Sequence, residues 1–284
     1  MPADLNRLVP LQQGHGRPAL YCVHAVSGSA YSYAGLARLL GPGQPVVGLE
    51  APGFDDERTP VRSLPALSAE YADTLTEYQP DGPIQLLGWS MGGVIAFDMA
   101  QRLTAAGREV ARVVLVDSGL PWVAPLPVER EIQRRFMNDI IGIAALDQEQ
   151  AAGIAAVFAG RPDDSDPEET FEAVEATGIL PEELDAWVLG ERYAVFRAHI
   201  EALFGFAVSG SYAGPVTHIL SAESPSQYMR WDKVASDLTE HTLPGTHHSI
   251  WAGESLVAMA ALVRQVLLPG PDALDPVDRQ GATA

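Results

Sequence analysis

Short apolar runs alternate along the chain with longer segments in which apolar residues recur every three to four positions. Two further strands are predicted at residues 215–220 and 238–243, and the apolar runs themselves occupy residues 19–23, 46–49, 84–87 and 113–116. Such nearly continuous runs are typical of strands that are buried on both faces of a parallel sheet. The periodic segments predict helices near residues 30–41, 65–79, 91–106 and 254–268. Repeated strand–helix–strand order predicts an α/β fold with a mostly parallel, doubly wound sheet.

The alternation stops between Trp122 and Gly214. This stretch has no convincing strand, and its helical patterns lie at residues 129–145, 147–159 and 181–204. A helical insertion that follows a strand of a parallel sheet lies at the carboxyl edge of the sheet, where such folds place their active sites. We therefore expect one domain over residues 18–268, with a lid insertion at about 122–214, rather than two separate domains.

The two ends of the chain differ from this domain in composition. Residues 1–17 read as a linker, and residues 269–284 are rich in Pro, Asp and Gly and have few apolar side chains. Such segments bury too little apolar surface to offset the entropy of ordering. We expect a linker-like N-terminus and a flexible C-terminal tail.

Charge and composition exclude several classes of function. Asp and Glu outnumber Lys and Arg by 37 to 18, and the net charge of −19 opposes binding to a nucleic-acid backbone. No run of eighteen apolar residues exists, and the first residues lack the layout of a secretory signal. The single cysteine, Cys22, allows no disulfide within the chain. We expect a cytoplasmic protein with no nucleic-acid or membrane partner.

The most informative motif is Gly88-Trp89-Ser90-Met91-Gly92-Gly93, which has the form G-x-S-x-G. A strand pattern precedes it and a helical pattern follows it, and this is the context of the nucleophile elbow of α/β-hydrolases. The glycines allow a sharp turn packed closely against the next element. The motif predicts that Ser90 is a catalytic nucleophile.

A serine nucleophile needs a general base, and the base needs an acid that orients it. In this fold the histidine lies on the loop after the last strand, and His247 and His248 occupy that place. The acid is open between Asp117, which ends the run 113–116, and Glu223, which follows the run 215–220. Other histidines, at positions 15, 199, 218 and 241, are interpreted as surface or core residues.

These residues resemble a known family. The elbow, the segment Tyr21 to Gly28 and Gly245-Thr246-His247 are similar to the thioesterase domains that terminate nonribosomal peptide synthetases and polyketide synthases. The resemblance covers about residues 5–268 and implies an α/β-hydrolase fold. It also implies a triad of Ser90, Asp117 and His247. Trp89 and Gly93 favour the chain-terminating (type I) branch over discrete editing (type II) thioesterases, which commonly have His and Ala there.

The resemblance also implies the chemistry and the partner. Ser90 would attack the thioester that joins an acyl or peptidyl chain to the phosphopantetheine of a carrier protein. The backbone N–H groups of Met91 and Val26 would form the oxyanion hole, with Ala25 and Ser27 as rivals to Val26. Hydrolysis or macrocyclisation would release the product, with no metal or dissociable cofactor. We also expect arginines of the lid to dock the carrier protein, at positions 130, 134, 135, 192 and 197.

Three other interpretations remain. The chain could be an editing thioesterase, a carboxylesterase or lipase of the same fold, or a non-catalytic relative that serves as a binding module. Non-catalytic relatives usually lack a triad residue, whereas this sequence contains all three.

Overall fold

The computed structural model of the protein describes residues 7–54, 57–225, 227 and 229–267. Its strands are β1 (Leu8–Gln12), β2 (Leu20–Val23), β3 (Val46–Leu49), β4 (Ile84–Trp89), β5 (Val110–Val116), β6 (Tyr212–Ser221) and β7 (Ala235–Leu243). They form one seven-stranded sheet in the order β1-β3-β2-β4-β5-β6-β7. Strand β1 is antiparallel to β3, and all the other neighbouring strands are parallel. The predicted fold class is confirmed.

Helices connect the strands on both faces of the sheet. They are α1 (Ala34–Leu40), α2 (Leu64–Tyr78), α3 (Met91–Ala105), α4 (Glu129–Ile143), α5 (Gln148–Val157), α6 (Pro167–Glu175), α7 (Ala186–Phe204) and α8 (Gly253–Val266). Helix α6 was not among the predicted helices. Asp166 caps it by accepting hydrogen bonds from the N–H groups of Glu168 and Glu169. Across the described residues, no helix has the length and apolar character needed to cross a bilayer.

The prediction of a linker over residues 1–17 is wrong for Leu8–Gln12, which form β1. This strand lies at the edge of the sheet, where Pro10 is tolerated although it has no N–H to donate. Its pairing with β3 shifts register between Pro10 and Gln12. A five-residue run that contains proline gives little strand signal, and pairing with β3 is a tertiary effect. Residues 1–6 and the predicted tail at 269–284 lie outside the described residues.

The sheet separates two apolar cores because alternate strand residues point to opposite faces. In β2, Tyr21 and Val23 join the core under α2 and α3, whereas Leu20 and Cys22 join the core under α1 and α8. All four side chains are buried. Burial raises the pKa of the Cys22 thiol, so this cysteine is an inert core residue.

Helices α4 to α7 lie between β5 and β6 and share a third apolar core. Phe136 is central to it, with its ring 5.4–5.5 Å from the rings of Phe171, Tyr193 and Phe196. Val26, in the loop after β2, packs against both this core and the core under α2 and α3. The four helices therefore contact the sheet domain beside the carboxyl ends of its central strands.

Helix α3 starts in close contact with the end of β2, and Gly92 makes this approach possible. A Cβ atom at position 92 would lie 2.3 Å from the Val23 carbonyl oxygen and 2.5 Å from that of His24. Backbone atoms cannot yield as a flexible side chain can. The absence of a side chain at Gly92 thus brings the N-terminus of α3 beside the loop that carries Val26.

We predict that Gly92→Ala lowers the free energy of unfolding by about 1–3 kcal/mol, because the added methyl group forces backbone atoms apart. Urea unfolding followed by circular dichroism measures the change. Gly190→Ala in α7 is the matched control, since a Cβ there meets no atom within 4 Å. The control should gain stability from helix propensity. Equal unfolding midpoints for wild type and Gly92→Ala would contradict the prediction.

Candidate active site

Ser90 lies between β4 and α3 in a strained backbone conformation. Its φ is 56° and its ψ is −124°, and it is one of three non-glycine residues with positive φ in the described part of the chain. Such conformations cost on the order of 1–3 kcal/mol and persist only where the surroundings enforce them. Here Ser90 N–H donates to the Val116 carbonyl (2.9 Å), and the Ser118 hydroxyl donates to the Ser90 carbonyl (2.6 Å). Val116 at the end of β5 and Ser118 just after it therefore hold the turn through hydrogen bonds.

Asp117 directly follows β5 and is the second of the three strained residues, with φ 43°. Its fully buried carboxylate accepts hydrogen bonds from Ser221 N–H (2.8 Å), the Ser224 hydroxyl (2.7 Å) and His247 Nδ1 (2.7 Å). Burial alone would raise its pKa, but the bonds from His247, Ser224 and Ser221 outweigh burial and lower it. Asp117 is therefore a carboxylate at neutral pH.

Glu223, the alternative acid, is exposed to solvent. No hydrogen bond of its side chain is found in the described part of the chain, and its backbone N–H donates to the Gly245 carbonyl. The geometry thus brings Asp117, and not Glu223, to the histidine loop.

The two adjacent histidines point to different elements. His247 bonds to Asp117, whereas His248 Nε2 lies 3.0 Å from the carboxylate of Asp139 on α4. Gly142, one turn after Asp139, gives the His248 ring its space, because a Cβ atom there would lie 2.4 Å from His248 Cγ. His247 is thus bonded to the proposed acid, and His248 joins the same loop to the inserted helices.

Trp89 connects both histidines to the elbow. Its buried ring lies 5.0 Å from the His247 ring and 5.5 Å from the His248 ring, measured between centroids. The His247 ring therefore packs on the residue that directly precedes the proposed nucleophile. Ser90 Oγ itself makes no hydrogen bond in the described residues, and catalytic contacts are often loose before substrate binds.

The proposed oxyanion donors follow from the start of α3 and the loop after β2. Met91 is the first residue of α3, so its N–H has no partner within the helix. Neither the Met91 nor the Val26 N–H meets an acceptor in the described part of the chain. Gly92 brings the two segments together, as described above. Both amides remain available to an oxyanion.

Two buried histidines hold the Val26 loop. His24 and His199 stack with their ring centroids 4.9 Å apart, and His199 Nδ1 lies 2.8 Å from the Val26 carbonyl. His24 contacts the Ala25 carbonyl and the Tyr71 hydroxyl, each at 2.7 Å. Burial lowers the pKa of His24 to about 3 and that of His199 to about 4. Both rings are therefore neutral at pH 7, and α7 is tied to the proposed oxyanion loop.

A cavity of about 230 Å³ opens beside Ser90. Met91 and Val94 of α3 form one part of its wall, and Leu203 and Phe204 of α7 form another. The segment after Asp117 forms the rest of the wall with Gly119, Leu120, Pro121, Trp122 and Ala124. Helix α4 contributes Arg135. The elbow, the strand end and the inserted helices therefore share one mostly apolar chamber.

The arginines expected to dock a carrier protein are engaged within the chain. Arg130 pairs with Asp163 (2.7 Å), Arg134 and Arg135 share Glu131 (2.8 and 2.9 Å), and Arg197 pairs with Glu129 (3.0 Å) and Glu201. Arg192 donates to the Phe54 carbonyl and lies over the Phe54 ring. Their role in docking stays a prediction; in the described part of the chain, Arg130 and Arg197 pair with carboxylates that the other three do not contact, whereas Arg134 and Arg135 share one. Across the described residues, no three potential metal ligands converge on one site.

Comparison with known proteins shows what the chain is similar to. Residues 18–157, just under half of the chain, match the sequence model of the thioesterase domain. Over this part the chain is similar to the thioesterase domain family. Malpibaldin synthetase from Mortierella alpina is 37% identical over 148 residues, which is 49% of this chain but only 3% of that protein. The chain thus spans a small part of the length of its curated relatives.

Solved structures place the thioesterase domain in the α/β-hydrolase fold. A four-domain nonribosomal peptide synthetase, holo-AB3403, superposes with a TM-score of 0.76 over 91% of this chain and 20% of that one, at 22% identity. The thioesterase domain of NocB, in a covalent complex with a fluorophosphonate nocardicin G analogue, has a TM-score of 0.57 and 26% identity. That match covers 88% of this chain and 94% of NocB.

Several residues that shape the site gave no signal in the sequence. Ser118 holds the Ser90 carbonyl, Ser224 donates to Asp117, and His199 contacts the Val26 loop from 173 residues away. His199 was interpreted as a surface or core histidine, and it is buried, but its Nε2 has no partner among the described residues. Each role depends on contacts between distant segments, which no local pattern reveals.

We predict that acidification from pH 7 to pH 5 destabilises the domain partly through His24 and His199. An unfolded histidine binds a proton near pH 6.5, whereas these two bind one only near pH 3 and pH 4. The unfolded state therefore binds more protons in this window, and the free energy of unfolding falls by roughly 2 kcal/mol per histidine. Buried His218 contributes with the same sign, because burial lowers its pKa as well.

Urea unfolding at several pH values measures this slope. In His199→Gln, the loss between pH 7 and pH 5 should shrink by roughly 2 kcal/mol. His15→Gln, at an exposed site, should keep the full wild-type slope. An unchanged slope in His199→Gln would refute the assignment of this titration to the stacked pair.

Proposed function

We propose that this protein is a chain-terminating thioesterase that acts through an acyl-Ser90 intermediate. The observation that carries the proposal is the hydrogen bond between Asp117 and His247, together with the strained turn at Ser90 that is held by the residues on either side of Asp117. This is the arrangement of an acid, a base and a nucleophile that acyl transfer requires. The covalent fluorophosphonate complex of the NocB thioesterase domain supports the same type of site in a relative.

In the first step, Ser90 Oγ attacks the thioester carbonyl and His247 accepts the hydroxyl proton. Asp117 orients the imidazole and stabilises the cation that forms. The Met91 and Val26 N–H groups donate to the oxyanion, and each such donor contributes about 10²–10³ in rate in comparable sites. The carbon–sulfur bond then breaks, and the thiol of the carrier's phosphopantetheine leaves with the proton from His247. No cofactor takes part in this scheme.

In the second step, His247 activates either water or a hydroxyl or amine of the acyl chain. Attack by water releases a free acid, whereas internal attack releases a ring. We propose that the insertion at about 122–214 acts as a lid within one domain at 18–268. The apolar cavity under it would exclude water and prolong the life of the acyl-serine.

Trp89 and Gly93 are the basis for preferring the chain-terminating class. The Trp89 ring packs on both histidines of the catalytic loop, so its identity affects how His247 is held. A carrier protein is the proposed partner, since curated relatives are synthetases.

One observation favours the editing class as a second candidate. The cavity of about 230 Å³ is smaller than the roughly 300–1,000 Å³ of pockets that enclose a drug-sized ligand. It accommodates a short acyl group, and a longer chain would extend into solvent past exposed Trp122. Comparison of acetyl and long-chain thioesters on the same carrier protein separates the two classes. A strong preference for acetyl would favour editing.

We predict that Ser90→Ala lowers thioester turnover by at least about a thousandfold while the domain stays folded, because the nucleophile is lost. A fluorophosphonate probe followed by mass spectrometry should label the wild type at Ser90. Ser209→Ala, at an exposed serine, should keep full activity and labelling. Faster cleavage of an oxygen ester than of the matching pantetheine thioester would instead indicate a carboxylesterase. Labelling of Ser90→Ala would sink the assignment of the nucleophile.

The roles of the acid and the base give a second prediction. Asp117→Asn should lower kcat by about 10⁴, because the imidazole loses its orientation and its counter-charge. His247→Ala should cost at least as much. Glu223→Gln and His248→Ala are the matched controls, one for each position, and each should retain turnover within about tenfold. A larger loss in either control than in its partner would overturn the proposed triad.

A further inference from the structure

One charged side chain lies in the wall of the apolar cavity. Of the residues that line it, Arg135 alone carries a formal charge, and the others are Ser90, small residues and apolar residues. The Arg135 guanidinium lies 5.5 Å from the centroid of the Phe204 ring, and Phe204 lines the same cavity. An arginine in such a wall has to be solvated, paired or used to bind a ligand.

The ion pair with Glu131 leaves much of the Arg135 guanidinium unused. Arg134 contacts both oxygens of Glu131, through Nε at 2.8 Å and Nη2 at 3.0 Å. Arg135 reaches one of these oxygens through Nε at 2.9 Å. In the described residues, Arg135 Nη1 and Nη2 donate to no acceptor. Two cations thus share one carboxylate, and a positive charge remains at the cavity.

This local charge differs in sign from the rest of the protein. The chain has a net charge of −19, so its general field repels anions. A guanidinium group in the wall of a mostly apolar cavity therefore favours an anion that is attached to an apolar chain. Planar guanidinium groups suit carboxylate and phosphate oxygens because two N–H groups can donate side by side.

We propose that this cavity binds a thioester substrate whose apolar segment fills the chamber and whose anionic oxygen group is bound by Arg135. The proposal rests on the proposed function, because it names a substrate class for the same site. The anionic group can belong to the acyl chain, as a terminal or side-chain carboxylate, or to the phosphate of the pantetheine arm. Both sources share the chemistry that Arg135 recognises.

Direct binding to the Ser90→Ala variant tests the site without turnover. The probes are pantetheine monothioesters of straight-chain dicarboxylic acids of four to ten carbons, each compared with its terminal methyl ester by calorimetry. A second pair compares octanoyl-pantetheine with octanoyl-phosphopantetheine. We expect about 10- to 100-fold tighter binding of the anionic member in one pair, as for hydrogen bonds to a charged group. The pair that shows the preference identifies the source of the anion.

The arginine is tested by substitution in the same background. Arg135→Gln should abolish the preference, and Arg135→Lys should keep part of it, because the charge remains while the fork is lost. Arg134→Gln is the matched control: it lies on the same helix and shares Glu131, but does not line the cavity. It should keep the preference. Equal losses in Arg134→Gln and Arg135→Gln, or no preference in either pair of probes, would overturn the proposal.

Turnover by proteins with an intact Ser90 separates this inference from the proposed function. For the preferred substrate, Arg135→Gln should raise KM by about 10- to 100-fold and leave kcat nearly unchanged. If the wild type cleaves none of the thioesters, the proposed function fails, whereas binding to Ser90→Ala still reports on Arg135. If it cleaves anionic and neutral thioesters equally well, the substrate class is wrong and the thioesterase activity stands.

Discussion

A carboxylate that is removed from water needs several hydrogen-bond donors, and this requirement at Asp117 organises the site. Its three donors come from the end of β6, from the turn after β6 and from the loop after β7. The charge is therefore stable only when β5, β6 and the histidine loop are all in place. Loss of any one donor would leave part of a buried charge uncompensated, which is expensive in free energy. The order of the strands and the position of His247 are linked through this one group.

The same strand ends also hold two residues, Ser90 and Asp117, in strained backbone conformations. Both residues have positive φ, and both directly follow the ends of neighbouring parallel strands. The Ser90 turn is bonded to Val116 and Ser118, the residues on either side of Asp117. The Ser90 turn is thus held by the end of β5, and the Asp117 turn is held by β6, because the Asp117 N–H donates to the Ile219 carbonyl (2.7 Å). The sheet supplies the rigidity that keeps the backbone of the proposed nucleophile in an unfavourable conformation.

The sequence predicted the features that depend on local pattern. Buried strands, the long helices and the serine turn at Ser90 all follow from apolar periodicity and from glycine spacing. Strand β1 escaped prediction because Pro10 weakens its pattern and only its pairing with β3 makes it a strand. The choice between His247 and His248 also required the fold, because Asp117 and Asp139 are separated from them by more than 100 residues. Ser118, Ser224 and His199 act through contacts of this non-local kind, as does the ion pair that leaves Arg135 available.

The acid, the residue that holds the serine turn and much of the cavity wall belong to one short stretch of chain. Asp117 and Ser118 are followed at once by Gly119, Leu120, Pro121, Trp122 and Ala124, which line the cavity. A replacement that enlarges the cavity here shifts backbone that is covalently joined to the proposed catalytic acid. If the proposed function holds, substitutions in this stretch that admit bulkier acyl chains would therefore also lower the turnover rate. The wall at Leu203 and Phe204 of α7 is not part of this short stretch and meets it through the hydrogen bond from Ala124 N–H to the Phe204 carbonyl (3.0 Å), so these two side chains are the better place to diversify the cavity.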